Sequence, residues 1–127
     1  MNGEATISTA RHPHILVIDD EDYVADMIAS MLELEGFTAT VAYNGREGLR
    51  IAQSTPSDLI ILDIMMPFMS GIEVIERLRM DQRLAAIPII LISAGARPPH
   101  PVDGVIFIAK PFNLDHLLAL VNTICTP

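Results

Sequence analysis

The stretch LIILDIMMPFMSG, residues 59–71, decides the fold because it joins a short, wholly apolar run to an aspartate and a methionine-rich loop. A short continuous apolar run is typical of a strand that is buried on both faces of a sheet. Similar runs occur at ILVI (15–18), IILI (89–92) and VIFI (105–108), and we expect strands covered on both faces there too. The remaining run, TATVA (38–42), is the second in chain order. It is more polar and indicates an edge strand.

Hydrophobic residues between these runs recur at the spacing of helix faces. Four such patterns extend over Tyr23 to Leu32, Asn44 to Ile51, Gly71 to Met80 and Leu114 to Ile124. Gly36 is expected to end the first helix, and Asn113 is a favourable N-cap for the last. Strands that alternate with helices predict a parallel sheet with helices on both faces.

The connection between the fourth and fifth apolar runs lacks a helical pattern. It reads SAGARPPHPVDG, residues 93–104, and contains three prolines and two glycines. Proline lacks a backbone N–H and disrupts helix interiors. We therefore predict an irregular loop in this segment instead of a helix.

Composition and length narrow the class of protein. The 127 residues are enough for one domain, predicted over residues 13–127, after a polar and flexible N-terminal tail at residues 1–12. The net charge of −8 argues against a sequence-independent grip on nucleic acid. No apolar run is long enough to cross a membrane, and the single cysteine, Cys125, excludes an internal disulfide. These features favour a cytoplasmic protein.

Chemically distinctive side chains follow four of the predicted strands. Asp19 and Asp20 follow the first, Asp63 the third, Ser93 ends the fourth, and Lys110 follows the fifth. Lys110 is the only lysine of the chain. Ligands of open parallel sheets bind beyond the carboxyl ends of the strands, so these side chains are expected on one rim.

Three carboxylates on one rim repel one another unless a cation joins them. Hard oxygen ligands at a water-accessible site suit Mg²⁺, and a carboxylate near Mg²⁺ can act as a nucleophile toward a phosphoryl group. A lysine ammonium and a hydroxyl would then bind phosphoryl oxygens. The next acidic residues, Glu21 and Asp22, are interpreted as favourable charges at a helix N-terminus.

The chain resembles the receiver domain of two-component response regulators. The resemblance lies in ILVIDDE, LIILDIMMPFMSG, IILISA and FIAKPF, and it covers roughly residues 13 to 124. It implies a flavodoxin-like (CheY-like) α/β fold, a doubly wound five-stranded parallel sheet with strand order 2-1-3-4-5. In the family a fourth helix normally lies between the fourth and fifth strands. The proline-rich segment predicts that this helix is missing or irregular here.

The resemblance also implies a phosphoacceptor and a metal site. Asp63 would accept the phosphoryl group. Mg²⁺ would be held by Asp63, by Asp20 directly, by Asp19 directly or through water, and by the backbone carbonyl of Met65.

Further roles implied by the resemblance concern the phosphoryl oxygens and the switch. Ser93 would bind one phosphoryl oxygen and Lys110 another. Phe107 matches the aromatic switch position, whose ring turns inward when the hydroxyl of Ser93 moves toward the phosphoryl group. The Lys110–Pro111 peptide bond is typically cis in the family.

The function implied is that of a phosphorylation-dependent signalling switch that catalyses only its own phosphorylation and dephosphorylation. The donor would be a sensor histidine kinase or a histidine phosphotransfer protein, and a downstream protein or a homodimer would receive the signal. A pseudo-receiver, a phosphorylation-independent interaction module, is the alternative that the shortened 94–104 segment keeps open. An aspartyl-nucleophile phosphatase is disfavoured because Met65 stands where its second aspartate would lie.

Overall fold

The computed structural model describes residues 12–95, 100 and 102–125. Within these ranges the strands are β1 (His14–Ile18), β2 (Thr38–Ala42), β3 (Leu59–Asp63), β4 (Ile89–Ser93) and β5 (Val105–Ala109). The helices are α1 (Asp22–Leu34), α2 (Gly45–Ser54), α3 (Gly71–Arg79) and α4 (Leu114–Cys125). All strand pairs are parallel and the order is β2-β1-β3-β4-β5, which confirms the predicted fold.

Two hydrophobic layers cover the sheet, one on each face. Alternate residues of each strand point to opposite faces, so Leu16 and Ile60 lie in one layer while Ile15 and Ile61 lie in the other. The first layer is completed by α2 and α3, and the second by α1 and α4. This arrangement explains why β1, β3 and β4 read as continuous apolar runs.

Helix boundaries follow local sequence signals. Gly36 adopts a φ of +97° just after α1, a conformation that glycine takes without a steric penalty. The side chain of Asn113 accepts hydrogen bonds from the backbone N–H groups of Asp115 (2.7 Å) and His116 (3.2 Å), as its predicted capping role requires. The Ser70 hydroxyl accepts one from the N–H of Glu73 and caps α3.

The prediction that VIFI is covered on both faces is wrong. Strand β5 is at the edge of the sheet, and 40% of the surface of Ile106 is exposed. The composition of the run could not reveal this, because an edge position depends on strand order and on what covers the strand.

The connection between β4 and β5 is not helical where the structure describes it. Gly95, His100, Val102 and Asp103 lie outside any helix, and residues 96–99 and 101 lie outside the described residues. The guanidinium of Arg79 donates hydrogen bonds to the carbonyl oxygens of Ala85 (2.7 Å), Ile87 (3.2 Å) and Asp103 (3.0 Å). Arg79 therefore ties the end of α3 to the residues that lead into β5.

Residues 1–11 of the predicted tail also lie outside the described residues, so the tail and the domain boundary stay predictions. Among the described residues, no helix combines the length and the apolar character that a membrane span requires.

Candidate functional site at the carboxyl ends of the strands

Backbone hydrogen bonds beyond the strands hold the predicted site residues on one rim. The N–H of Asp19 donates to the carbonyl of Ala42 at 3.1 Å, which extends the pairing of β1 with β2 past its last residue. The N–H of Lys110 donates to the carbonyl of Ser93 at 2.8 Å, which does the same for β5 and β4. The backbone at Asp19 and Lys110 is therefore held by the sheet itself.

Asp19, Asp20 and Asp63 form a compact acidic cluster. One carboxylate oxygen of each lies within 4.8 Å of those of the other two. Asp19 and Asp63 are buried, with 3% and 4% of their surface exposed, whereas Asp20 is open to solvent. Such a set of oxygen donors, partly open to water, fits a hard divalent cation such as Mg²⁺.

Lys110 lies against this cluster. Its Nζ is 3.6 Å from Asp19 Oδ2 and 3.6 Å from Asp63 Oδ2, and its side chain is only 17% exposed. The Lys110–Pro111 peptide bond is cis, as the family resemblance implied. Sequence reasoning placed this lysine beside the carboxylates, and the structure brings the four residues together.

Burial and mutual repulsion perturb the carboxylates. Removal from water, followed by the charge of Asp19, raises the pKa of Asp63 from its ordinary value of 3.8 to about 6. Burial also raises the pKa of Asp19. Burial lowers the pKa of Lys110, but the charges of Asp19 and Asp63, together with the hydrogen bond and charge of Glu21, outweigh this and the net shift is upward. The site is therefore short of positive charge, which a metal cation would supply.

The loop after β3 is built tightly around Asp63. The N–H of Met65 donates to Asp63 Oδ1 at 3.3 Å, and the N–H of Gly71 donates to the carbonyl of Ile64 at 2.9 Å. A Cβ atom at Gly71 would clash with the carbonyl oxygen of Asp63, so only glycine fits where α3 begins. Phe68 stands out in this loop, because it is fully exposed and has a φ of +69°.

The two switch candidates lie on β4 and β5, the strands beyond β3 in the sheet. Ser93 is completely buried at the end of β4, one residue beyond Ile92, which pairs with Asp63. Phe107 is half-buried, pairs with Leu91, and packs against the layer on the α2–α3 face. Their predicted roles in switching stay predictions.

Sequence reasoning missed one residue that contacts the site. Glu21 was interpreted only as a helix N-terminal charge, yet its Oε1 accepts a hydrogen bond from Lys110 Nζ at 3.3 Å. Its Oε2 accepts one from the Tyr23 hydroxyl at 3.2 Å. The signal available in the sequence was the third consecutive acidic residue after β1.

Comparison with known proteins places this architecture in a family. Residues 15–122 match the response regulator receiver domain. The uncharacterized transcriptional regulatory protein YkoG of Bacillus subtilis is 37% identical over 114 residues, which cover 86% of this chain and 49% of YkoG. The phosphate regulon regulatory protein PhoB of Pseudomonas aeruginosa is 34% identical over 115 residues, which cover 87% of this chain and 50% of PhoB.

Solved structures agree with this placement. A response regulator receiver protein from Pseudomonas putida superposes with a TM-score of 0.82 at 30% identity, covering 91% of this chain and 99% of that protein. A receiver domain of a Francisella response regulator gives a TM-score of 0.79 at 31% identity, covering 89% of this chain and 96% of that domain. The chain spans about half the length of the curated relatives it matches. It therefore belongs to the response regulator receiver domain family, the phosphorylation-dependent switches of two-component signalling.

Proposed function

We propose that Asp63 accepts a phosphoryl group in a Mg²⁺-dependent reaction and that its phosphorylation switches the domain. The observation that carries this proposal is the grouping of Asp63 with two further aspartates and a lysine at one strand-end rim. Asp19 and Asp63 are both buried and both lie 3.6 Å from Lys110 Nζ, and Asp63 is the one that ends β3, the strand that carries the phosphoacceptor in the receiver resemblance. A phosphoryl group on Asp63 would therefore be formed within reach of a fixed cation.

Asp19, Asp20 and Asp63, with the backbone carbonyl of Met65, would hold the Mg²⁺ ion. The donor set is hard oxygen throughout, and the three carboxylate oxygens lie close enough together to share one cation. When bound, the ion would offset the negative charge of the phosphoryl oxygens.

The chain's own residues would then perform the transfer by position and charge. A carboxylate oxygen of Asp63 forms a bond to phosphorus while the bond between phosphorus and the donor atom breaks, and the donor leaves with that electron pair. Lys110 and the hydroxyl of Ser93 would bind the equatorial phosphoryl oxygens, over which the negative charge of the transferring group is spread. Movement of Ser93 toward the phosphoryl group would let the ring of Phe107 turn inward.

The donor is expected to be a phosphohistidine of a sensor kinase or of a phosphotransfer protein. The domain would act only on its own aspartate, in the cytoplasm, and would not bind nucleic acid itself because its net charge is −8.

Intact mass spectrometry after incubation with acetyl phosphate tests the proposal. We expect the mass of one added phosphoryl group on the wild type in the presence of Mg²⁺, and no addition without Mg²⁺ or in Asp63→Asn. Asp115→Asn, which changes an exposed aspartate in the first turn of α4, serves as the matched control and should be phosphorylated normally. A folded wild type that is not modified in the presence of Mg²⁺ would favour the pseudo-receiver alternative.

A further inference from the structure

The hydrogen-bonding partner of Lys110 is not the proposed phosphoacceptor. Nζ donates to Glu21 Oε1 at 3.3 Å, whereas Asp19 and Asp63 each lie at 3.6 Å. The longer distances describe ion pairs that fall outside hydrogen-bonding range. Lys110 is therefore held at the mouth of the acidic cluster by an acceptor that is not itself one of the clustered aspartates.

Glu21 is fixed well enough to act as such a holder. Its backbone N–H donates to Asp19 Oδ1 at 2.9 Å, and its carbonyl accepts from the N–H groups of Val24 (3.0 Å) and Ala25 (3.1 Å). Its second carboxylate oxygen accepts a hydrogen bond from the hydroxyl of Tyr23. Although Glu21 occupies the N-cap position of α1, its side chain makes no capping hydrogen bond. The carboxylate is thus directed to Lys110 and Tyr23 rather than to the helix.

Without Glu21, the Lys110 ammonium could turn to two acceptors that are more deeply buried, the carboxylates of Asp19 and Asp63. Asp19 and Asp63 are buried, and each is short of the hydrogen-bonding distance by only a few tenths of an ångström. Charge-assisted hydrogen bonds shielded from water are stronger than exposed ones. An ammonium group bound directly to both carboxylates would compete with a divalent cation for the same oxygens.

We propose that Glu21 is a positioning residue that holds the Lys110 ammonium away from Asp19 and Asp63 in the unphosphorylated protein, leaving their oxygens available to Mg²⁺. This inference rests on the proposed metal site. Glu21 is not one of the proposed metal ligands, and it would affect the affinity for Mg²⁺ only through Lys110. The Tyr23 hydroxyl supports Glu21 by donating a hydrogen bond to its second carboxylate oxygen.

Isothermal titration calorimetry tests this role by measuring the Kd of the unphosphorylated protein for Mg²⁺ at neutral pH and constant ionic strength. We expect Glu21→Gln to raise the Kd for Mg²⁺ about fivefold, because Lys110 moves onto the two aspartates. Asp22→Asn is the matched control, because it removes an equal charge from the next residue, which is not among the carboxylates within 4 Å of Nζ. It should raise the Kd by less than about twofold, as expected for a screened and more distant charge.

A Lys110→Met variant distinguishes an effect of Glu21 that acts through Lys110 from a direct effect of the Glu21 charge on Mg²⁺ binding. Lys110→Met should lower the Kd for Mg²⁺ because it removes the competing ammonium. In that background, Glu21→Gln should change the Kd by less than about twofold, since no lysine remains to be held. Circular dichroism on each variant checks that it is folded, and an exposed, isosteric Glu21→Gln change is compatible with the fold.

Three results would overturn the inference. Equal effects of Glu21→Gln and Asp22→Asn would show that only long-range charge matters. A fivefold effect that persists in Lys110→Met would show that Glu21 does not act through the lysine. A wild type that binds no Mg²⁺ would reject the proposed metal site together with the inference, whereas the first two results would leave that site intact.

Discussion

The strand-end rim and the edge beside the β4–β5 connection (residues 94–104) are held together in different ways. At the rim, buried central strands end in buried carboxylates, and backbone hydrogen bonds continue past the strands. At the edge, Ile106 and Val102 are partly exposed, and a groove of about 610 Å³ opens between α3 and the described end of the connection. The difference shows that the clustered carboxylates Asp19 and Asp63 are positioned by buried central strands, whereas the connection that precedes β5 borders an open groove.

The strongest contrast between the two regions is expected from adding one methyl group. Gly71→Ala should lower the free energy of unfolding by about 2–3 kcal/mol, because the new Cβ clashes with the backbone of Asp63 and overpacks the loop. Gly95→Ala is the matched change in the connection, where no atom of the described residues lies within 4 Å of the added Cβ. It should change stability by less than about 0.5 kcal/mol.

Urea unfolding of both variants measures this contrast. A large loss of stability in Gly95→Ala, or none in Gly71→Ala, would contradict the view that the rim is the more tightly built region.

The next largest expected effect on stability comes from the negative charge of Asp63, which is unfavourable at the rim. At neutral pH without Mg²⁺, Asp63→Asn should raise the free energy of unfolding by about 2 kcal/mol, because the ionised carboxylate is unfavourable where it is buried beside Asp19. The sign follows from the raised pKa. Below the unfolded value of 3.8 both states are protonated, and as the pH rises toward about 6 the wild type loses the stability that its folded state gained by holding the proton.

The stability gap between Asp63→Asn and the wild type should therefore widen from pH 4 to pH 6 and then level off. Denaturant unfolding at a series of pH values measures it. Mg²⁺ should narrow the gap, because it binds the folded wild type more tightly than the variant. A variant that is less stable than the wild type at neutral pH would refute this electrostatic account.

Arg79 tests what holds the residues that lead into β5 against the end of α3. Arg79→Met keeps much of the apolar stem but loses the hydrogen bonds to the carbonyl oxygens of Ala85, Ile87 and Asp103. We expect the free energy of unfolding to fall by about 1–2 kcal/mol. Hydrogen exchange should become faster at the amide of Val105, which donates to the carbonyl of Val102, and at the amide of Ile89, which donates to that of Gly104.

Arg77→Met is the control for this change, because Arg77 forms an exposed ion pair with Glu73 and should contribute less than about 0.5 kcal/mol. If the two variants behaved alike, Arg79 would not be the residue that secures the entry to β5.

The order of elements and most of the site were predictable from the sequence. Continuous apolar runs predicted the strands, although coverage on both faces was wrong for β5. Residues that follow parallel strands must meet at one rim, which is why Asp19, Asp63 and Lys110 were placed together. Such reasoning depends only on local pattern and on the rules of parallel sheets.

Other features depend on tertiary contacts that no local pattern encodes. Ile106 resembles its neighbours in sequence, but its exposure depends on β5 being an edge strand. Arg79 contacts carbonyl groups as far as 24 positions along the chain. Glu21 follows an acidic pair and was assigned to the helix dipole, whereas its partner Lys110 lies 89 positions away.

The most direct test of the central claim is to locate the modified residue. Borohydride reduces an aspartyl phosphate to homoserine, so protein treated with acetyl phosphate and Mg²⁺ can be reduced, digested and sequenced by tandem mass spectrometry. Homoserine at position 63 alone, absent from protein that received no acetyl phosphate, is the result our account predicts. Homoserine at position 19 or 20, or none at all in folded protein, would contradict it.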